Sequence, residues 1–307
     1  MSAAELPAPA AGQAVKTRGF WRQALRRLAR QPVTLAATAL LVAILVAGEL
    51  APVVASKGWN DINLAGRWRN HPPTLAAGHL LGTDQIGRDT LQLLLWGIHY
   101  SEQTAVVGGL AATLLALAAG LAAGYHGGWT DATLMRIADL VTGFPVLVLL
   151  IVAFTYFRPV TVWKATAIFT LAMWPFAARV FRARTAALSS QEFVDAARAL
   201  GASNARIILR HLAPNAAGAI IVSATTLIGQ IVLIEATAEF FGFGVQTTTR
   251  PTLGNLIGGA TESGIGANNT LGLGWWTWTT PAVALILLLA CLNLVGDGLD
   301  TALNPRN

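Results

Sequence analysis

Residues 104–124 read TAVVGGLAATLLALAAGLAAG, 21 positions without a charged side chain. A bilayer core takes about 20 mostly apolar residues as one helix. Only a helix or a closed barrel satisfies its own backbone groups there. This stretch therefore predicts a transmembrane helix, and five further segments fit or nearly fit the same pattern: 33–55, 140–157, 165–181, 212–234 and 275–296. The 165–181 segment is the weakest, its uncharged core running only from Ala165 to Ala178. Glu49 lies close to the far end of the first segment, where a carboxylate reaches the headgroups rather than the bilayer centre.

Basic residues decide whether the weak segment crosses. Six crossings with both ends inside place 14 of the 21 lysines and arginines in the cytoplasm, among them Arg179, Arg182, Arg184, Arg198, Arg206 and Arg210. Without the 165–181 crossing those six arginines face outward, against the positive-inside rule. The expectation is an all-α membrane protein with six transmembrane helices. Its parts are a cytoplasmic basic amphipathic tail at 1–31, a first transmembrane helix at 32–55 and an external segment at 56–103. A core transmembrane domain at 104–298 and a cytoplasmic tail at 299–307 complete it. Trp275, Trp276 and Trp278 read as interfacial anchors of the last span, and Asn268-Asn269-Thr270 forms a glycosylation sequon without weight of its own.

Composition agrees with lipid as the solvent. Of 307 residues 54% are hydrophobic and 12% charged, about half the charged share of a soluble domain. The net charge of +6 is broken up by long uncharged stretches, so no nucleic-acid face is built. One cysteine, Cys291, allows neither an internal disulfide nor a cysteine-rich metal site. The five histidines, 71, 79, 99, 126 and 211, are scattered, and no metal or catalytic site is expected. Zincin, nucleophile-elbow and glycine-rich phosphate-binding motifs are missing from the sequence.

The loop at 189–215 is the most informative polar stretch. Ser189 and Glu192 have capping-box spacing, opening a helix through Leu200 with Gly201 just past its C-cap. Phe193, Ala196, Ala197 and Leu200 share one face of that helix. Ser203 caps a second short helix, 204–212, which is expected to end before Pro214. Small alanines allow close approach of another protein, and Glu192, Asp195 and Arg198 offer charge contacts. On pattern alone an ordinary connecting loop fits as well.

Glu192-Phe193-Val194-Asp195-Ala196-Ala197-Arg198-Ala199-Leu200-Gly201-Ala202-Ser203, followed by Arg210-His211-Leu212-Ala213-Pro214-Asn215, resembles the EAA loop of ABC importer permeases. Ala196, Ala197, Gly201 and Pro214 are kept. Asp195 stands where glutamate is usual and Ala213 where leucine is usual. His79-Leu80-Leu81-Gly82-Thr83-Asp84-Gln85-Ile86-Gly87-Arg88-Asp89 is similar to the external signature of the dipeptide, oligopeptide and nickel permeases of the C-type. Gly128-Trp129-Thr130-Asp131 with Arg136, Asp139 and Phe144-Pro145, then Phe241 to Gln246 and Asn293 to Leu299, resemble later parts of that family in the expected order.

The resemblance implies a type I permease fold with a coupling helix around Gly201. It also implies a second homologous permease subunit, two ABC ATPase subunits carrying ATP and Mg, and an external solute-binding protein. No cofactor is implied on this chain. The location implied is the bacterial inner membrane and the solute a dipeptide or oligopeptide, with a nickel chelate as the alternative. A proton-coupled secondary transporter using Glu49, Glu235 and Glu239 is the rival from another class.

Overall fold

The computed structural model of the protein describes residues 17–55, 58–59, 69–74, 78–245, 250–260 and 274–303. The sequon and most of the tail ahead of Thr17 lie outside these residues. Among them thirteen helices are described: α1 (Thr17–Leu28), α2 (Pro32–Glu49), α3 (Ala51–Val54), α4 (Thr90–His126), α5 (Gly128–Thr142), α6 (Val146–Tyr156), α7 (Val162–Ser189), α8 (Glu192–Ala199), α9 (Asn204–Ile207), α10 (Ala213–Asn215), α11 (Ala217–Phe240), α12 (Leu253–Ala260) and α13 (Trp275–Leu303). Among the described residues the only β pairing is two isolated bridges, Thr74 with His79 and Thr83 with Asp89.

The 37 residues of α4 rise about 55 Å at 1.5 Å each, well beyond one bilayer core. The helix therefore begins 14 residues ahead of the expected span, inside the segment expected to be external. Asp89 starts it by accepting from the Leu91 and Gln92 amides. Its sequence supplies a seam of small side chains, with Ala105, Ala112, Ala116, Ala119 and Ala123 all buried. Small residues let helix backbones close in, gaining dispersion contacts that lipid cannot offer. The most extensive pairing is with α7: a Cβ on Gly124 would stand 2.5 Å from the Arg182 carbonyl oxygen, and one on Gly120 2.7 Å from that of Ala178. On another side of α4, Gly109 faces Ile228 of α11. Phe154 and Phe169 meet edge to face at 5.7 Å, joining α6 to α7.

Large apolar side chains line the outside. Leu114 is 66% exposed, Ile286 63% and Val152 61%, on α4, α13 and α6. Contiguous apolar exposure of this kind has lipid as its natural cover. Four of the described helices, α2, α4, α11 and α13, are long and apolar enough to cross a membrane. α5 and α6 meet at 81° and together make a fifth candidate. The expected 140–157 span is thus not one helix: α6 has 11 residues, about 16 Å of rise. Pro145 lacks an amide hydrogen and disfavours helix at the residue before it, so the chain turns at Gly143-Phe144-Pro145. α7 is long, but Lys164, Arg179, Arg182 and Arg184 dilute its apolar character. Among the described residues, length and composition therefore support four or five spans, against the six expected.

Candidate functional site

Two polar regions identified in the sequence lie beyond the ends of α4. The loop at 189–215 begins differently from expectation. Ser189 still belongs to α7, and its hydroxyl donates to the Ala186 carbonyl at 2.9 Å. The N-cap of α8 is Gln191, with no side-chain cap bond. The capping box is not formed because α7 continues through the serine that was to open it. Glu192 and Asp195 occupy the first turn of α8 and Arg198 the last, each sign matched to the helix dipole.

The exit from α8 is as expected. The Gly201 amide donates to the Arg198 carbonyl at 2.9 Å and the Ala202 amide to the Ala197 carbonyl at 3.0 Å, a complete Schellman turn. Gly201 sits at φ +78°, a region that costs a residue with Cβ about 1–2 kcal/mol. Ser203 then accepts from the Arg206 amide and caps α9. The second helix does not stop before Pro214. A π-helical turn at Ile208–Leu212 precedes α10, which contains the proline. The wider turn relieves the clash between the proline ring and the carbonyl four residues back.

Burial divides α8 into two faces. Val194 is fully buried and Ala197 nearly so, packed with Ile207, Leu212 and Leu121 of α4. Ala197 therefore anchors the loop rather than offering a contact. Phe193 and Ala196 are exposed, and Leu200 is 89% exposed. Asp195 is not free: its Oδ1 accepts from Arg198 Nη1 at 3.0 Å. Both side chains are well exposed, so the pair is screened by water and exchanges readily for another partner. Arg198 also lies over the Tyr125 ring, 5.5 Å from its centroid, and the Tyr125 hydroxyl together with Asp195 pushes its pKa further up. Tyr125 and Asn204, which pin this loop to α4, were not singled out by spacing. They lie 79 residues apart, and only the fold brings them together.

The 79–89 stretch is a tightly bonded loop. Asp84 Oδ1 accepts from the Ile86 and Arg88 amides at 3.0 and 2.8 Å, and its Oδ2 from Arg88 Nε at 2.6 Å. Asp89 caps α4 with one oxygen and holds His79 Nδ1 with the other at 2.7 Å. Thr83 is fully buried and its hydroxyl accepts from the His71 amide. Gly82 and Gly87 both have positive φ. A Cβ on Gly82 would stand 2.6 Å from the His71 carbonyl oxygen. Trp276 closes the loop from α13, its Nε1 donating to the Thr83 carbonyl at 3.0 Å. Of the three tryptophans only Trp275 and Trp278 are exposed; Trp276 is a buried clasp and not an interfacial anchor. Gly82, Thr83, Asp84, Gly87, Arg88 and Asp89 thus each have a local structural reason in this loop.

Glu235 and Glu239 are also buried, between α11, α4 and α12. Glu239 accepts from the Thr252 hydroxyl, and Asn255 Nδ2 donates to the Val245 and Arg250 carbonyls at 3.2 Å.

The structure is a helical bundle with lipid-type apolar exposure and a pinned loop that holds an apolar helix face outward. Residues 116–307 match the family described as "Binding-protein-dependent transport system inner membrane component", and the chain belongs to that family. It is a non-catalytic component of an inner-membrane transport system. The chain is 32% identical over 288 residues to the oligopeptide transport system permease protein OppC of Mycobacterium tuberculosis, covering 92% of this chain and 94% of that protein. It is 31% identical to OppC of Escherichia coli over 95% of this chain and 93% of that protein. The dipeptide transport system permease protein DppC of Alkalihalophilus pseudofirmus is 29% identical, over 93% of this chain and 90% of that protein. Among solved structures, the inward-facing MetNI methionine ABC transporter superposes with a TM-score of 0.53 at 23% identity, over 69% of this chain and 96% of that one. That likeness establishes the ABC importer permease fold.

Proposed function

We propose that this chain is one permease subunit of an ATP-driven importer of oligopeptides or dipeptides. A second homologous permease subunit completes the pathway, two ATPase subunits bind ATP and Mg, and an external binding protein delivers the solute. Relatives that carry oligopeptide or dipeptide transport in their names align with more than nine-tenths of the chain. The chain crosses six times with both termini in the cytoplasm, α7 supplying the crossing that composition alone leaves out. Its first half packs along α4, and its arginines at 179, 182 and 184 then face the cytoplasm.

The observation that carries the proposal is the face of α8. Phe193, Ala196 and Leu200 stay exposed while Val194 and Ala197 hold the helix from behind. We assign that face to a groove in an ATPase subunit, with Asp195 and Arg198 at the rim. Burying a leucine side chain is worth about 1.5–3 kcal/mol, so Leu200→Asp weakens ATPase association by one to two orders of magnitude. Because Leu200 is almost fully exposed, the variant inserts and folds normally. The test is co-purification of the ATPase subunits and peptide uptake at matched membrane levels. Loss of both in Leu200→Asp and Asp195→Lys is expected, with Asp195→Glu behaving as wild type. Normal uptake by Leu200→Asp and Asp195→Lys overturns the docking assignment.

A further inference from the structure

Glu49 is the last residue of α2, and His99 and Glu102 stand three apart on α4, hence on one face of that helix. The two helices bring the three side chains together. One donor atom from each lies within 4.8 Å of the other two, and His99 Nδ1 is 3.9 Å from Glu49 Oε2. Gly48 makes this approach possible: a Cβ there would stand 2.7 Å from Ile98 Cγ2 and 3.0 Å from Glu102 Oε2.

The environment leaves these groups unsatisfied. His99 is 8% and Glu102 5% exposed, and among the described residues neither Glu102 oxygen nor His99 Nδ1 has a partner at good hydrogen-bond geometry. A buried polar group without a partner is costly, and a buried carboxylate more so. Glu49, with its side chain 64% exposed, gives the cluster an opening to the surroundings. Trp96 meets the His99 ring edge to face at 5.6 Å and helps to fix its plane. Gln103 holds the other side of that ring, its Nε2 2.9 Å from His99 Nε2. With the side-chain amide turned over, Oε1 accepts the Nε2 proton and the Nδ1 lone pair faces the two carboxylates. This is the usual outer-shell arrangement for a histidine ligand.

We propose that Glu49, His99 and Glu102 bind a divalent transition-metal ion of the zinc type, joining the end of α2 to α4. One imidazole nitrogen and two carboxylate oxygens suit Zn²⁺, which takes such ligands at about 2.0–2.2 Å and leaves a fourth position for water. Ca²⁺ prefers six to eight oxygens, and Mg²⁺ octahedral oxygen coordination with several retained waters. Ligand atoms around tetrahedral zinc lie roughly 3.4 Å apart and the three donors here lie within 4.8 Å of one another, so each donor has about 1 Å or less to move on binding.

The test uses the full chain, purified in detergent without a histidine tag and stripped with a chelator. Titration with Zn²⁺ by calorimetry is expected to give one equivalent per chain, and Co²⁺ an intense tetrahedral visible band. His99→Ala and Glu102→Gln each weaken binding at least tenfold and abolish the band. Glu49→Gln does the same with no effect on folding, because the Glu49 side chain is exposed. Zn²⁺ raises the Tm of the wild type and not of these variants, whereas Asp139→Asn, at an exposed acid elsewhere, behaves as wild type. Absence of stoichiometric Zn²⁺ binding by the wild type, or its retention in Glu49→Gln and Glu102→Gln, overturns the site and leaves a shared proton between the carboxylates as the occupant.

Discussion

The Tyr125 hydroxyl donates to Asn204 Oδ1 at 2.9 Å, joining the last turn of α4 to the first residue of α9. It fixes the loop that presents Phe193 and Leu200 relative to the longest helix of the bundle. A hydrogen bond of this kind contributes about 0.5–1.5 kcal/mol. Tyr125→Phe and Asn204→Ala are therefore expected to raise amide exchange across residues 201–207 several-fold while leaving 165–178 protected. Hydrogen exchange by mass spectrometry measures this, and a double variant no worse than either single one identifies the shared bond. Unchanged exchange in both singles removes the tether.

Gly201 lies at φ +78°, and among the described residues a Cβ added there would meet nothing within 4 Å, so substitution acts through the backbone. Gly201→Val costs about 1–2 kcal/mol or more, whereas Gly201→Asn, which tolerates the left-handed region, costs less. Uptake is expected to fall in the order wild type, asparagine, valine at equal membrane levels. Equal uptake by all three shows that the Schellman turn is dispensable.

Trp276→Phe keeps the aromatic bulk and removes the indole N–H that donates to the Thr83 carbonyl. Loss of a buried hydrogen bond costs about 0.5–1.5 kcal/mol, and thermal unfolding in detergent should report it. Asp84→Ala loses three acceptor contacts and is expected to lower Tm further. A Tm unchanged in both variants refutes the structural role assigned to this loop.

The contact between α4 and α7 predicts a contrast between two glycines. Gly124→Ala forces a Cβ to 2.5 Å from the Arg182 carbonyl oxygen and should destabilise by about 1–3 kcal/mol. Gly229→Ala, in α11, puts its Cβ 3.8 Å from Leu292 Cβ, an ordinary van der Waals contact, and should be neutral or stabilising by up to about 1 kcal/mol. Comparison of their unfolding midpoints decides whether close backbone approach or general intolerance of substitution governs the bundle.

The helical membrane character was readable because lipid demands long uncharged runs, and 104–124 meets that demand without help from its neighbours. Gly201 and Ser203 were readable too, since turn and cap chemistry is local. What escaped the sequence depends on distant partners. Residues 90–103 carry His99 and Glu102, which look like loop polarity until α2 and α12 cover the helix. The 81° turn at Pro145 hides inside an apolar run because hydropathy does not register backbone geometry. Trp276 resembles any aromatic at a span end, and only its reach to Thr83 makes it a clasp. Ser189 failed as a cap because packing extends α7 past it, tertiary context overriding a local signal.

The continuous α4 also constrains how this chain tolerates changes in length. Each residue added inside a helix turns everything beyond it by about 100° and advances it by about 1.5 Å. One alanine inserted after Gln103 would carry the Ala105 to Ala123 seam away from α7 and swing Tyr125 off Asn204, while Asp89 and the loop before it stay in place. A four-residue insertion restores the facing to within about 40° yet lengthens the rod by about 6 Å. Sequence drift along α4 is thus confined to substitution, and insertions and deletions are displaced into the connections beyond its two ends.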